Sequence, residues 1–254
     1  GFFSGMSSDP FGQLLRDKLD ACGVDHSMSH TADRPTTLAF VKLTNGHATY
    51  FFYDENTAGR MLTPADLPAV DADALFFGGI SLVVEPCGGA YQALMLREAP
   101  HRVTMIDPNI RPGFITDEPA YRARLTAMMG VADIIKTSDE DLDWIIGSHD
   151  ATSLFDGTDV QVVLLTRGAD GVTVLTRDTQ FDVAAQKADV VDTVGAGDTF
   201  NGAFLAGLSN AGHLTKSTLT TSLDALRDAA RYGAKCAAIT VSRAGANPPW
   251  LSEL

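Results

Sequence analysis

Apolar positions along this chain recur in two registers. Phe11, Leu14, Leu15 and Leu19 fall on one helical face and Gly23 stops the run, which predicts a helix over 11–21. Residues 37–43 and 48–53 read instead as strands. Asn45-Gly46 lies between them and predicts a type I′ hairpin, because both residues tolerate positive φ. From residue 70 strands and helices alternate. Strands are expected at 74–77 (a buried one), 102–106, 133–136, 160–166 and 172–176. Helices are expected at 90–98, 118–129 and 139–146. Two C-terminal helices, about 198–208 and 222–237, precede a last strand at 238–242 and the Pro248-Pro249 stop. Near-continuous apolar strands alternating with amphipathic helices predict a parallel sheet covered on both faces. The hairpin stands outside that pattern as a small separate sheet, and 150–157 reads as an irregular surface connection. There is no internal repeat.

Composition narrows the class. A chain of 254 residues, 45% hydrophobic and 20% charged, can bury one sizeable core. A formal charge of −13 argues against nucleic acid and against anionic membrane surfaces as partners. Cys22, Cys87 and Cys236 are widely spaced, with no Cys-x-x-Cys pair, which fits a reducing cytoplasm. The longest apolar stretch, 74–84, is too short to span a bilayer. His26 and His30 have i, i+4 spacing but sit in a polar loop without an intervening Glu, so they read as solvated rather than as zinc ligands.

The chemistry concentrates in Asp192-Thr-Val-Gly-Ala-Gly-Asp-Thr-Phe200. An apolar run enters a Gly-Ala-Gly turn and a helical pattern follows at once. Such a turn leaves backbone N–H groups unpaired at a helix start, where the dipole favours an anion. Asp198 beside that pocket costs electrostatic energy unless it takes a proton from an attacking hydroxyl. The dinucleotide fingerprint would need glycine at Phe200, and the Gly-Lys-Ser/Thr of a P-loop occurs nowhere.

The nonamer resembles the second signature of the ribokinase-like (PfkB) carbohydrate kinases. The resemblance implies an α/β fold, a three-layer α/β/α sandwich with a small β-sheet lid at about 36–53. It also implies transfer of the ATP γ-phosphoryl group to a sugar hydroxyl. Asp198 would be the general base and the N–H groups of Gly195, Ala196 and Gly197 the anion hole. Asp107-Pro-Asn-Ile-Arg111 recurs in fructokinases and 2-keto-3-deoxygluconate kinases of the family, which makes Asp107, Asn109 and Arg111, with Tyr53 on the lid, candidates for the sugar. Thr166-Arg-Gly-Ala-Asp-Gly171 is similar to the family's nucleotide loop, with Arg167 as a phosphate clamp beside Thr166, Gly168 and Gly171. Lys136 would neutralise phosphate charge, and small residues including Ala234 would let adenine lie flat. At the family's Asn-x-x-Glu this chain has Ser138 and Asp141, so a water-mediated Mg²⁺ role falls to Asp141 or Glu140. The same stretch also reads as a plain helix cap. Asp192 and the Val194 carbonyl match a monovalent-cation site, with K⁺ the candidate ion.

Residues 54–62, Thr36-Thr37 and the segment 242–250 are similar to bacterial fructokinases, which favours fructose over 2-keto-3-deoxygluconate, ribose or nucleosides. The lid implies a homodimer face. The family's opening strand with its Asp, and its Gly-Gly-x-x-x-Asn motif, have no counterpart here. The single domain 1–254 is therefore expected to be N-terminally incomplete. A non-catalytic ligand-binding relative or a truncated fragment stays open as a second class.

Overall fold

The computed structural model describes residues 1–44 and 47–254, with the backbone alone described for 41–44 and 47–51. In chain order its elements are β1 (Gly5–Ser7), α1 (Pro10–Ala21), β2 (His30–Ala32), β3 (Leu38–Thr44), β4 (His47–Tyr53), β5 (Ala74–Gly78), α2 (Cys87–Glu98), β6 (Val103–Asp107) and α3 (Glu118–Val131). Then come β7 (Ile134–Ser138), α4 (Asp139–Ile146), β8 (Val162–Thr166), β9 (Val172–Thr176), β10 (Gln180–Val183), α5 (Ala196–Asn210) and α6 (Leu223–Val241). The chain divides into two compact units. One comprises Gly1–Ala72, Gly79–Arg97 and Arg111–Arg124, the other Asp73–Gly78, Glu98–Ile110 and Leu125–Leu254.

The first unit holds two small sheets: β1 parallel to β2, and the antiparallel pair β3–β4 that runs in register from Leu38–Tyr53 to Thr44–His47. The expected Asn45-Gly46 turn lies outside the described residues. Helix α1 starts where Asp9 caps it: Oδ1 accepts from Gly12 N–H at 2.8 Å while Pro10 opens the first turn. The same carboxylate accepts from the backbone and hydroxyl of Thr36, at 2.8 and 2.6 Å, and so ties the lid's approach to the helix.

The second unit is built on one six-stranded sheet in the order β10-β9-β8-β7-β6-β5. Strands β5 to β8 are parallel, whereas β9 and β10 run antiparallel, so the sheet is mixed rather than wholly parallel as expected. The reason is the tight turn Gly168–Gly171, which sends the chain straight back along β8. Strand β10 was not apparent in the sequence, because Gln180-Phe-Asp-Val is short and polar-alternating. Strand β5, expected to be buried, forms the sheet edge among the described residues, with Phe76 42% exposed. The core joins Val103, Met105, Ile134, Val162, Leu164 and Val174 of the strands to Phe200, Phe204, Leu208, Leu226 and Ala229 of α5 and α6.

Two further expectations are corrected here. Residues 238–241 continue α6, with Ser242 as its C-cap, instead of forming a strand. Their β-branched run suggested β structure, but buried Leu226, Ala229, Ala230, Gly233, Ala234 and Thr240 recur at helical spacing, and packing overrides propensity. Residues 150–157 are not a loose connection either. Asp150 caps a short 3₁₀ turn, Ala151–Phe155, whose Ala151, Leu154 and Phe155 are buried.

Candidate active site

The start of α5 is shaped by one residue that must be glycine. Gly195 has φ +78°, and a Cβ there would stand 2.8 Å from the Ala246 Cβ. Its carbonyl accepts the first helical bond, from Thr199 N–H at 2.9 Å. The N–H of Ala196 turns back to the Thr193 carbonyl at 3.3 Å, so the expected anion hole loses that donor to the turn. The N–H groups of Gly197 and Asp198 have no hydrogen-bond partner among the described residues. Asp198 is exposed in the first turn, where its side chain can meet a ligand.

The loop leading in is anchored at several points. Val191 and Asp192 donate their N–H groups to the Val241 carbonyl at 2.8 and 3.2 Å. The Asp192 carboxylate accepts from Val194 N–H at 3.0 Å and Gly245 N–H at 2.9 Å. These two backbone bonds hold its pKa below the ordinary aspartate range. The helix start is thus fixed to the C-terminal end of α6.

A cleft of about 920 Å³ opens beside this helix start. Its walls include Thr166, Gly168 and Gly171 from the β8–β9 turn, Gly197 and Phe200 from α5, and Ala234, Ala237 and Ala238 from α6. Lys136 also faces it from β7, and a Cβ on Gly197 would lie 3.4 Å from the Lys136 Nζ, so an ammonium stands against the helix N-terminus. The small residues of α6 divide into two sets. Ala234 and Ala237 line the cleft, whereas Gly233 packs on the Phe200 ring, 2.8 Å from where its Cβ would be. The size and the mainly apolar wall suit a flat organic group with a charged end.

Other sequence candidates are placed differently. Arg167 does not line the cleft. Its guanidinium donates to the Thr173 hydroxyl at 2.6 Å and lies 3.4 Å from Asp139, because the turn hands it to β9 and α4. Asp107 is 2% exposed, and its carboxylate is held by Lys136 and Asn201 rather than offered to a ligand. Ser138 caps α4 by accepting from Asp141 N–H at 3.1 Å. Asp141 is buried, with Oδ1 accepting from Ile110 N–H at 3.0 Å. Burial raises its pKa, a hydrogen bond with Ser138 opposes the rise, and the nearby Asp107 charge adds to it. Glu140, beside it, is exposed, and Asn109 adopts a left-handed φ of +45°. In the first unit Arg111 is exposed, and Tyr53 is 63% exposed with its ring edge-on to Phe40 at 5.5 Å.

Residues 2–253 match the family model described as pfkB family carbohydrate kinase. The chain belongs to this family. It is a phosphotransferase acting on a sugar hydroxyl. It is 50% identical over 220 residues to a fructokinase of Rhizobium leguminosarum bv. trifolii, a match covering 85% of this chain and 68% of that protein. Two solved structures share its ribokinase-like fold at 25% identity. Fructokinase from Xylella fastidiosa with bound ATP superposes with a TM-score of 0.87, covering 96% of this chain and 80% of that one. Fructokinase from Vibrio cholerae O395 with fructose, ADP and calcium gives 0.84, with the same coverage.

Sequence reasoning about this pfkB kinase missed two residues of the site. Phe200 is 5% exposed and reaches the cleft wall, and Asn201 is fully buried one turn below Gly197. For Phe200 the spacing carried a signal, since i+2 from the exposed Asp198 lies across the helix; Asn201, at i+3, lies on the same side as Asp198 one turn deeper, and nothing in its spacing marked it. Among the described residues no helix is long and apolar enough to cross a membrane, and no three His, Cys, Asp or Glu side chains converge as a metal site.

Proposed function

We propose that this chain phosphorylates fructose to fructose 6-phosphate with ATP as donor. The observation that carries this reading is the convergence at the start of α5. Gly197, with its uncommitted N–H, and the Lys136 ammonium line a cleft large enough for a nucleoside, and the next residue, Asp198, has a second uncommitted N–H and an exposed carboxylate in the same first turn. The N–H groups of Gly197 and Asp198 suit charge developing on the transferred phosphoryl group. Lys136 adds a point charge there. Asp198 takes the proton of the attacking hydroxyl. Adenine lies against Ala234 and Ala237. Fructose as acceptor is supported by the 50% identity to the Rhizobium fructokinase.

Mg²⁺ fits this donor set as an ion carried in on the phosphates. It keeps several waters and is usually met by one or two carboxylates rather than a protein cage. Of the two candidates at the start of α4, the exposed Glu140 would supply such a carboxylate more readily than Asp141, which is buried with Oδ1 accepting from Ile110 N–H, and the ion would add neutralising charge when bound. Asp192 with the Val194 carbonyl is the corresponding assignment for K⁺. The exposed, edge-stacked Phe40 and Tyr53 of the lid hairpin support a homodimer through that face, which sedimentation of the purified protein checks.

The test is ADP formation with fructose, ribose, 2-keto-3-deoxygluconate and adenosine, with Mg²⁺, with and without K⁺. Fructose should be turned over fastest. Asp198→Asn should lower kcat by roughly 10²–10⁴ with folding intact. An unchanged rate in that variant would remove Asp198 as the base, and turnover of another acceptor alone would remove fructose.

A further inference from the structure

The side chains of Asp107, Lys136 and Asn201 form a largely buried network that reaches the cleft only through Lys136 and does not itself form the anion hole. Asp107 ends β6, Lys136 lies in β7 and Asn201 is in the second turn of α5. They are 2%, 7% and 0% exposed. The Asp107 Oδ2 receives the Lys136 Nζ at 3.0 Å and the Asn201 Nδ2 at 2.9 Å. One carboxylate oxygen therefore ties two strand ends to the helix whose N-terminus builds the site. The other carboxylate oxygen, Asp107 Oδ1, and the Asn201 Oδ1 are buried without a hydrogen-bond partner among the described residues.

Leaving two buried acceptors unfilled costs stability, so a purely structural role explains this network poorly. An apolar trio of similar volume would serve packing as well or better. What the polar trio does achieve is a fixed position for the ammonium. Asn201 follows Gly197 by four residues and Asp198 by three, which puts it on the same side of α5, directly below the open N–H groups. The carboxylate it holds in turn holds Lys136, whose Nζ stands against Gly197.

We infer that Asn201 and Asp107 are positioning residues that set the Lys136 ammonium against the N-terminus of α5 for phosphoryl transfer. The inference rests on the kinase reading above. Truncating Asn201 lets the carboxylate and the ammonium shift together. Misplacement of this order lowers the rate of the chemical step while leaving the sugar contacts alone.

A double-mutant cycle in kcat tests it, with wild type, Asn201→Ala, Lys136→Met and the double variant assayed on the preferred sugar. Asn201→Ala is expected to reduce kcat by roughly 10–100-fold with KM for the sugar changed less than about threefold. In the Lys136→Met background the same change should cost less than about threefold, because the group it positions is gone. Asn201→Ser keeps a donor and should recover part of the loss. Equal losses in both backgrounds would overturn the inference, as would an unchanged kcat in Asn201→Ala. Unfolding of both Asn201 variants while Lys136→Met stays folded would make the network a folding element and overturn it too. Wild-type protein silent on every sugar would instead refute the kinase reading, so the two failures are separable.

Discussion

Three glycines in the α5–α6 pair should respond to alanine in opposite directions, and the structure sets the sign of each. Gly202 is exposed in α5, and an added Cβ meets nothing within 4 Å. Gly202→Ala thus gains helix propensity alone, about 0.5–1 kcal/mol. Gly207 has the same intrinsic gain available. Its Cβ, however, would lie 3.0 Å from the Ala229 Cα and 3.1 Å from the Ala229 Cβ, so the backbones of the two helices must separate. Overpacking of that kind costs about 1–3 kcal/mol and outweighs the propensity, leaving a net loss of up to about 2 kcal/mol. Gly233→Ala meets the Phe200 ring at 2.8 and 2.9 Å and the Phe200 carbonyl at 3.1 Å. That ring is 5% exposed and stacks on Phe204 at 6.2 Å, so it has little room to yield. At about 2–4 °C per kcal/mol, Gly202→Ala should raise Tm by a few degrees and the other two should lower it. Gly233→Ala should in addition raise KM for ATP, since Phe200 lines the cleft. Thermal unfolding followed by circular dichroism gives the ranking directly. A fall in Tm for Gly202→Ala, or a rise for Gly207→Ala, would refute the packing argument.

Two further predictions concern the first unit. Hydrogen bonds from the Thr36 side chain and the Gly12 backbone pull the Asp9 carboxyl well below its ordinary value of 3.8. A depressed folded pKa stabilises above the unfolded value and is lost as pH falls, so wild-type Tm should drop on acidification below about pH 4. Asp9→Asn should have the shallower acid limb in Tm measured against pH, and parallel limbs would sink the assignment. Burial pushes the Cys87 thiol up to about 11, so near pH 8 only about one molecule in a thousand carries its thiolate. Iodoacetamide should therefore label the exposed Cys22 first, with Cys87 labelled slowly and faster as pH rises, which peptide mass mapping resolves. Early labelling of Cys87 in native protein would contradict its burial.

Local chemistry was legible in the sequence, and long-range pairing was not. The Gly-Ala-Gly turn and the cap at Ser138 are each decided within three or four residues: α4 starts at Asp139 as the sequence predicts, while α5 starts at Ala196, two residues before the expected 198, and α1 at Pro10, one residue before the expected 11. Strand β10 pairs across a turn but carries a polar face, so alternation alone did not mark it. The last strand was misjudged because Ile239-Thr-Val241 favours β structure locally, whereas burial against α5 and β9 decides for the helix.

Asp107 shows the limit most sharply. At a strand end, before Pro-Asn-x-Arg, a carboxylate reads as a ligand contact. Its actual partner, Asn201, lies 94 residues away and bonds to it with both groups buried. No window of sequence contains both ends of that bond. Once it is seen, the roles separate by exposure. Asp198 is the carboxylate that can meet a ligand, and Asp107 is the one spent inside the protein. An acidic chain that handles phosphate must keep its carboxylates from repelling the ligand, and neutralising Asp107 with Lys136 below the helix start does so locally. Lys136 consequently has two tasks, a buried counter-charge for Asp107 and a cationic wall of the cleft. Replacing it with Met should therefore disturb both stability and phosphoryl transfer, whereas replacing Asp198 should disturb transfer alone.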